Sequence, residues 1–286
     1  MASLRDIRRR IASVRSTQQI TKAMKMVAAA KLRRAQERLW AARPYSYRMI
    51  QVLGSVCARV DRSLHPLLAE REPRRVGIVA VAGDRGLCGS FNTNILRRAH
   101  QEIAAHGERV IGVIAVGKKV RDHFAKQPIP VIGSYAGFFD ELAFSHAVAI
   151  ASLIKEKFLA EELDHVYVVY NEFKSAVQQR IVVEQLLPIQ PALPEIEKHP
   201  VEYLFEPSPQ AILDPLLDRY LNIRIWHILL ESYAAEQGAR MTAMDAATEN
   251  AEEMIQNLIL HYNKARQASI TKELIEIVSG AEALKA

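Results

Sequence analysis

The chain has 286 residues, 49% hydrophobic and 24% charged, with a net charge of +6 and two cysteines. That is enough for one large or two modest domains, and it excludes a disordered chain, a disulfide-stapled scaffold and a membrane-embedded protein. No apolar run reaches the roughly 20 residues of a spanning helix, since the runs at 76–82 and 110–117 are only of strand length.

The first segment, from Ser3 to about Arg62, reads as helix. Leu4, Ile7, Ile11, Val14, Gln18, Thr21, Lys25, Ala28, Leu32, Ala35 and Leu39 recur in alternating steps of three and four, which is coiled-coil spacing with a polar interruption at Gln18, Thr21 and Lys25. The opening residues are amphipathic and Arg-rich, but the periodicity continues past Ala30, so they are expected to be mature structure and not a targeting segment. Pro44 predicts a kink or a restart, after which Val52, Val56 and Val60 carry the pattern on. Up to Arg62, fifteen Lys and Arg stand against three Asp and Glu, while the rest of the chain is weakly acidic. Such an excess calls for an acidic counterpart, which composition leaves open as nucleic acid, anionic lipid or an acidic protein surface.

The middle of the chain alternates strands with helices. The run 76–82 is expected to be a buried strand, followed by a loop from Gly83 to Phe91 and a helix from about Asn92 to His106. Further strands are predicted at 110–116, 129–133, 165–172 and 179–190, with helices at 118–126 and 140–160. This order specifies an α/β domain with a mainly parallel sheet. The proline-rich tract from Pro188 to Pro209 leaves it.

The last segment is a second long helix. Ser208 followed by Pro209 has the form of an N-cap with proline at the first helical position. Ile223, Trp226, Leu230, Tyr233, Met241, Met244, Ala251, Ile255, Leu258, Tyr262 and Ala265 continue the spacing, and Gly280 is expected as the C-cap. Some 70 helical residues would span on the order of 105 Å, too long for the interior of a globule. If the two terminal helices pair antiparallel, the basic first segment lies along the acidic last one. The expected division is 1–62, 63–207 and 208–286.

Little in the sequence points to catalysis. The Gly83–Asn92 loop lies between a strand and a helix, where a phosphate loop would sit, but it is neither GxGxxG nor a GK[ST] loop. A structural turn with Arg85 placed to meet a partner's carboxylate accounts for it better. Cys88 shows no neighbouring histidine or acid triad, Cys57 falls in the helical pattern as a packed residue, and the pair fits a reducing compartment. Arg8, Arg9, Arg10, Lys22, Lys25, Lys31, Arg33 and Arg34 form a stripe that could meet nucleic acid, though Trp40 is the nearest aromatic for stacking. No catalytic residue, cofactor site or metal site is expected. A free nucleotide-dependent enzyme and a basic coiled-coil nucleic-acid-binding protein stand as the competing classes.

Three sets of motifs resemble the ATP synthase gamma subunit family: SLRDIRRRIASV at 3–14 with TQQITKAMKMVAA at 17–29; DRGLCG at 84–89 with FNTN at 91–94; and RMTAMDAAT at 240–248, YNKARQASIT at 262–271 and ELIEIVSGAE at 273–282. They follow the family order over essentially the whole chain. The resemblance implies an antiparallel coiled coil of the terminal helices with an inserted Rossmann-like α/β domain. It implies a non-catalytic rotor shaft turning inside a ring of alpha and beta subunits. The α/β domain would meet the epsilon subunit and the ring of c subunits, and the complex would be peripheral to the cell membrane on its cytoplasmic side. Met24, Lys25, Arg85, Arg266, Gln267 and Thr271 match the family's contacts with the beta subunit, and Tyr203, Leu204, Phe205 and Glu206 match the foot on the c ring. Ala82-Gly83 stand where the family often has Thr-Ser, and Ser90 replaces a common Gly. The chain carries no cysteine-bearing insertion of the chloroplast type, so thiol switching is not expected and a bacterial origin is.

Overall fold

The computed structural model describes residues 4–191, 204–206 and 208–283. These fall into two compact units, one within Met1–Val27 plus Met241–Ala286 and the other within Ala28–Arg240. Two long helices contribute to both: α1 (Leu4–Cys57) and α5 (Pro209–Ala283). The 75 residues of α5 correspond to about 110 Å of helical rise summed over its length.

The first unit is a helical pair. Thr21 is buried and Ile11, Val14, Gln18 and Lys25 are half-buried, as the spacing predicts, with Met244, Ala251 and Ile255 buried on the other helix. Arg8 Nη2 donates to Tyr262 Oη at 2.7 Å, Thr248 Oγ1 donates to Thr21 Oγ1 at 2.8 Å, and Lys25 pairs with Asp245. As the residue number rises along α1 its partner's number falls along α5, so the helices run antiparallel. Thr21 also donates to Gln18 O at 3.0 Å, so the predicted polar interruption holds a hydroxyl pair, buried at Thr21 and half-buried at Thr248, with its hydrogen bonds made.

The second unit holds a five-stranded sheet in the order β3-β2-β1-β4-β5. The strands are β1 (Val76–Val81), β2 (Val110–Val116), β3 (Val131–Tyr135), β4 (His165–Phe173) and β5 (Gln179–Leu187). β1, β2, β3 and β4 pair parallel, and β5 joins β4 antiparallel as an edge. Helices α2 (Phe91–His106), α3 (Lys118–Phe124) and α4 (Phe144–Leu159) connect them. β1 is buried along its whole length, as expected of a central parallel strand covered on both faces. Ile78, Ile95 and Phe124 pack on one side of the sheet. On the other, Val79, Ile114 and Ile154 pack in a larger core with Leu39 of α1 and Leu213 and Leu217 of α5.

Several expectations require correction. Pro44 causes no restart, because α1 continues to Cys57; its missing N–H deprives the Trp40 carbonyl of its usual helical donor. Gly280 does not cap α5, which runs on to Ala283; a glycine in a helix costs about 1 kcal/mol but does not end it. α4 begins at Phe144 and not Asp140, after a 3-10 turn at Phe139–Glu141 and a break at Leu142. The His146 imidazole accepts from the Ala143 N–H at 3.1 Å and so caps the later start. β3 is displaced two residues towards its C-terminus, and β5 stops where Pro188 has no N–H to offer. Ser208 is the predicted N-cap, its Oγ accepting from Ala211 N at 3.3 Å.

Between Ile228 and Arg240, every residue of α5 except Tyr233 is buried, so the helix passes through the α/β core with all its faces covered. Polar side chains are trapped with it. Glu231 Oε2 accepts from Phe173 N at 2.9 Å, and His227 Nε2 lies 3.5 Å from Glu231 Oε1. Burial, with Arg224 and Arg43 adding to it, pulls the His227 pKa down to about 4. The folded protein keeps this imidazole neutral, while the unfolded chain takes up a proton near its ordinary pKa of 6.5. Stability is therefore full above pH 6.5 and is lost as the pH falls towards 4, by at most about 3 kcal/mol from this group. Burial raises the Glu231 carboxyl, which works in the opposite sense at the acid end. His227→Gln should flatten the decline in urea midpoint between pH 6.5 and 5; an unchanged slope would show that the acid sensitivity arises elsewhere.

Candidate functional site

The loop from Gly83 to Ser90 sits at the carboxyl end of β1, where the strand order reverses between β1 and β4. Open α/β sheets bind ligands at this point. Here the loop's own groups and α5 occupy the space. Asp84 Oδ1 accepts from the backbone N–H groups of Lys118 at 2.9 Å and Gly137 at 2.8 Å, so a carboxylate already sits at the start of α3. Asn92 Oδ1 accepts from Gly83 N at 2.9 Å, while its Nδ2 donates to Arg85 O at 3.0 Å and Cys88 Sγ at 3.1 Å. A Cβ on Gly83 would lie 2.7 Å from the carboxyl carbon of Glu236. Arg240 Nη2 pairs with Glu236 Oε1 at 2.5 Å and reaches Gly86 O at 3.3 Å. Two carboxylates thus stand where a phosphate loop presents N–H groups, and the structural-turn reading of this loop holds.

The chemistry of the remaining groups agrees. Burial pushes the Cys88 thiol up, and the Glu236 carboxyl adds to the effect, the reverse of what a nucleophilic thiolate needs. Burial likewise raises the Glu236 carboxyl, which Arg240 opposes without outweighing. An open groove of about 810 Å³ is lined by Tyr45, Phe144, Asp218 and Trp226 among others. Its carboxylate is bound at both oxygens by Lys155 Nζ at 2.6 Å, so it offers no free general base.

What the site displays outward is charge and apolar surface. Arg85, 72% exposed at its side chain, pairs with Asp140 at 2.8 Å, and Lys31 donates to the same carboxylate at 2.5 Å. The Lys31 ammonium, with Arg85 and Arg240 adding, holds the Asp140 carboxyl below its usual range. Leu87 is 64% exposed at a φ of +60°, a left-handed conformation that costs a β-carbon-bearing residue roughly 1–2 kcal/mol. In the other unit Lys25 is tied to Asp245, and Met24 is half-buried. Arg266, Gln267 and Thr271 lie exposed on α5, Gln267 and Thr271 one turn apart. From Thr271 to Gly280 every residue is exposed, including Leu274, Ile275, Ile277 and Val278. Leu204 is 94% exposed, Phe205 packs against the larger core and Glu206 is exposed, while Tyr203 lies outside the described residues.

The structure therefore gathers Lys31 and Arg85 on one carboxylate and gives Lys25 its own. Sequence reasoning missed the acidic members, Asp140, Asp245 and Glu236. Asp245 was open to detection, since it falls opposite Lys25 once the two seams are laid antiparallel. Glu236 and Arg240 also carried a signal, as an i,i+4 pair in a run otherwise rich in small residues.

The ATP synthase family model matches residues 3–284. An ATP synthase gamma chain of Chlorobaculum parvum is 52% identical over the full length of both chains, and one of Pelotomaculum thermopropionicum is 50% identical over the full length of both. Among solved structures, a chain of the Tetrahymena thermophila mitochondrial ATP synthase central stalk and c-ring is 26% identical, with a TM-score of 0.62 over 80% of this chain and 99% of that one. A chain of the Euglena gracilis mitochondrial ATP synthase is 20% identical and shares the fold, with a TM-score of 0.71 over 98% and 94%. The nucleic-acid-binding alternative is left without support. The helical pair, the inserted α/β domain and the full-length identity lead to one assignment: the chain belongs to the ATP synthase gamma-chain family.

Proposed function

We propose that the chain is the central shaft of a rotary ATP synthase, coupling rotation of a c-subunit ring to conformational cycling of catalytic beta subunits. The observation that carries this reading is the end of α5, where ten consecutive exposed residues include four large aliphatic side chains. A patch of this kind calls for a surrounding surface, and a ring of alpha and beta subunits supplies it. The working parts are the segments 1–62, 63–207 and 208–286, with Met24, Lys25, Arg85, Arg266, Gln267 and Thr271 facing the beta subunits. Tyr203, Leu204, Phe205 and Glu206 form the foot on the c ring, and the α/β domain also meets the epsilon subunit. No described helix is long and apolar enough to cross a membrane, and the shaft reaches the cell membrane, on its cytoplasmic side, through the c ring. Each orientation of such a shaft favours a different state of each catalytic site, which is coupling by differential contact.

The test is assembly with alpha and beta subunits, followed by single-molecule rotation with a bead fixed to the α/β domain. ATP-driven stepping in one direction, with three dwell positions per turn, is expected; a folded chain that does not join the complex would overturn the reading. Charge reversal of Lys25→Glu with Arg85→Glu should reduce ATP-driven proton pumping severalfold. Both internal ion pairs are exposed, at side-chain exposures of 41% with 44% and 72% with 47%. Such pairs contribute at most about 1 kcal/mol each, so Tm should move little. Unchanged pumping in an assembled complex would remove both residues from the contact set.

A further inference from the structure

His100 of α2 and His123 of α3 point their Nε2 atoms at one another across 2.8 Å. Only one of those nitrogens can carry a proton; the other offers its lone pair. Both imidazoles are half-buried, open to solvent on one side. The ring of Phe124, itself 1% exposed, holds them in place: it lies 5.1 Å from the His100 ring and 5.2 Å from that of His123. Two convergent imidazoles on separate helices, fixed from behind by a buried ring, form a preorganised nitrogen pair.

We propose that His100 and His123 bind a late first-row divalent cation of the Zn2+, Ni2+ or Cu2+ class, bridging α2 and α3. Imidazole suits these ions, whereas Mg2+ and Ca2+ require oxygen donors. Two nitrogens on a tetrahedral Zn2+ at about 2.0–2.1 Å stand roughly 3.3 Å apart, so the pair opens by about half an ångström. Among the described residues no third His, Cys, Asp or Glu completes a protein-only set, and water fills the other positions. Binding needs no net proton loss from a neutral pair. The donor imidazole moves its proton from Nε2 to Nδ1 through solvent, and both Nε2 lone pairs then face the metal. Burial, the neighbouring imidazole and Lys126 keep His123 below its ordinary pKa, which leaves it neutral and available near pH 7. Both cysteines are buried and do not compete for the ion.

The full-length chain, titrated calorimetrically with Zn2+ against a Mg2+ control, should take up one equivalent and ignore Mg2+. His100→Gln and His123→Gln should each weaken uptake by about tenfold or more, and excess Zn2+ should raise the Tm of the wild type by a few degrees but not that of either variant. No uptake, or equal uptake in the variants, overturns the proposal. Should a variant fail to fold, electron paramagnetic resonance of Cu2+ on the wild type decides. Coupling to two imidazole nitrogens is expected, and coupling to one or none rejects the pair as the site.

Discussion

Gly117→Ala should be the most damaging single-methyl change in the protein, costing at least about 4 kcal/mol and leaving little folded chain at 37 °C. Gly117 joins β2 to α3 at a φ of +99°, where a β-carbon is strained whatever the space around it. There is also no space: a Cβ would fall 2.1 Å from the Ala82 carbonyl oxygen. That oxygen belongs to backbone held by the central ladder, since Ala82 N donates to Val116 O at 3.0 Å, and Gly117 N itself donates to Tyr135 O at 2.7 Å. Relief would have to separate β1 from β2 at the middle of the sheet. Urea unfolding followed by circular dichroism measures the effect. A loss below about 1 kcal/mol, or a gain of the kind Gly-to-Ala gives at a compatible site, would show that the turn relaxes easily.

Glu236→Ala should cost about 3–4 kcal/mol, with Glu236→Gln costing only about 1. Truncation leaves the Arg240 guanidinium, 9% exposed as a residue, without its carboxylate, and breaking one partner of a buried pair is far more expensive than the pair is worth intact. It also opens a void against Gly83. Glutamine keeps the volume and an oxygen for Arg240 to meet. Because burial favours the neutral form of this carboxyl, the amide should substitute well. Equal losses in the two variants would mean that the negative charge, and not the filled space, holds α5 against the Gly83 loop. If the chain is the shaft proposed above, the alanine variant should also lose coupling, because α5 is then no longer keyed to the α/β domain.

Much of this was legible along the chain. The inward positions of α1, from Ile7 to Leu39, followed from a period near 3.5 because each helix can hide only one stripe. β2 was located at its observed ends by a run of apolar residues between a basic residue and a glycine. Ser208 and Pro209 announced the start of α5 because orphan N–H groups demand an acceptor and a proline costs nothing there. Boundaries that depended on tertiary partners were misplaced. Asp140 read as helix, but its carboxylate is drawn to Lys31 and Arg85, and the helix waits for the His146 cap. Pro44 read as a kink or a restart, but the helix does not restart, because in a helix with a long buried stripe the loss of one hydrogen bond is outweighed by packing.

The sequence by itself determined the architecture and the family, because periodicity, cap chemistry and ordered motifs are local properties that survive without a partner. Only the tertiary structure decided what each charge does. Arg85 and Lys31 both find Asp140, at separations along the chain of 55 and 109 residues. Whether the Gly83 loop could take a phosphate was likewise a tertiary question, answered by a carboxylate arriving from α5. Coulomb interactions depend on distance in space and on burial, neither of which spacing along the chain records.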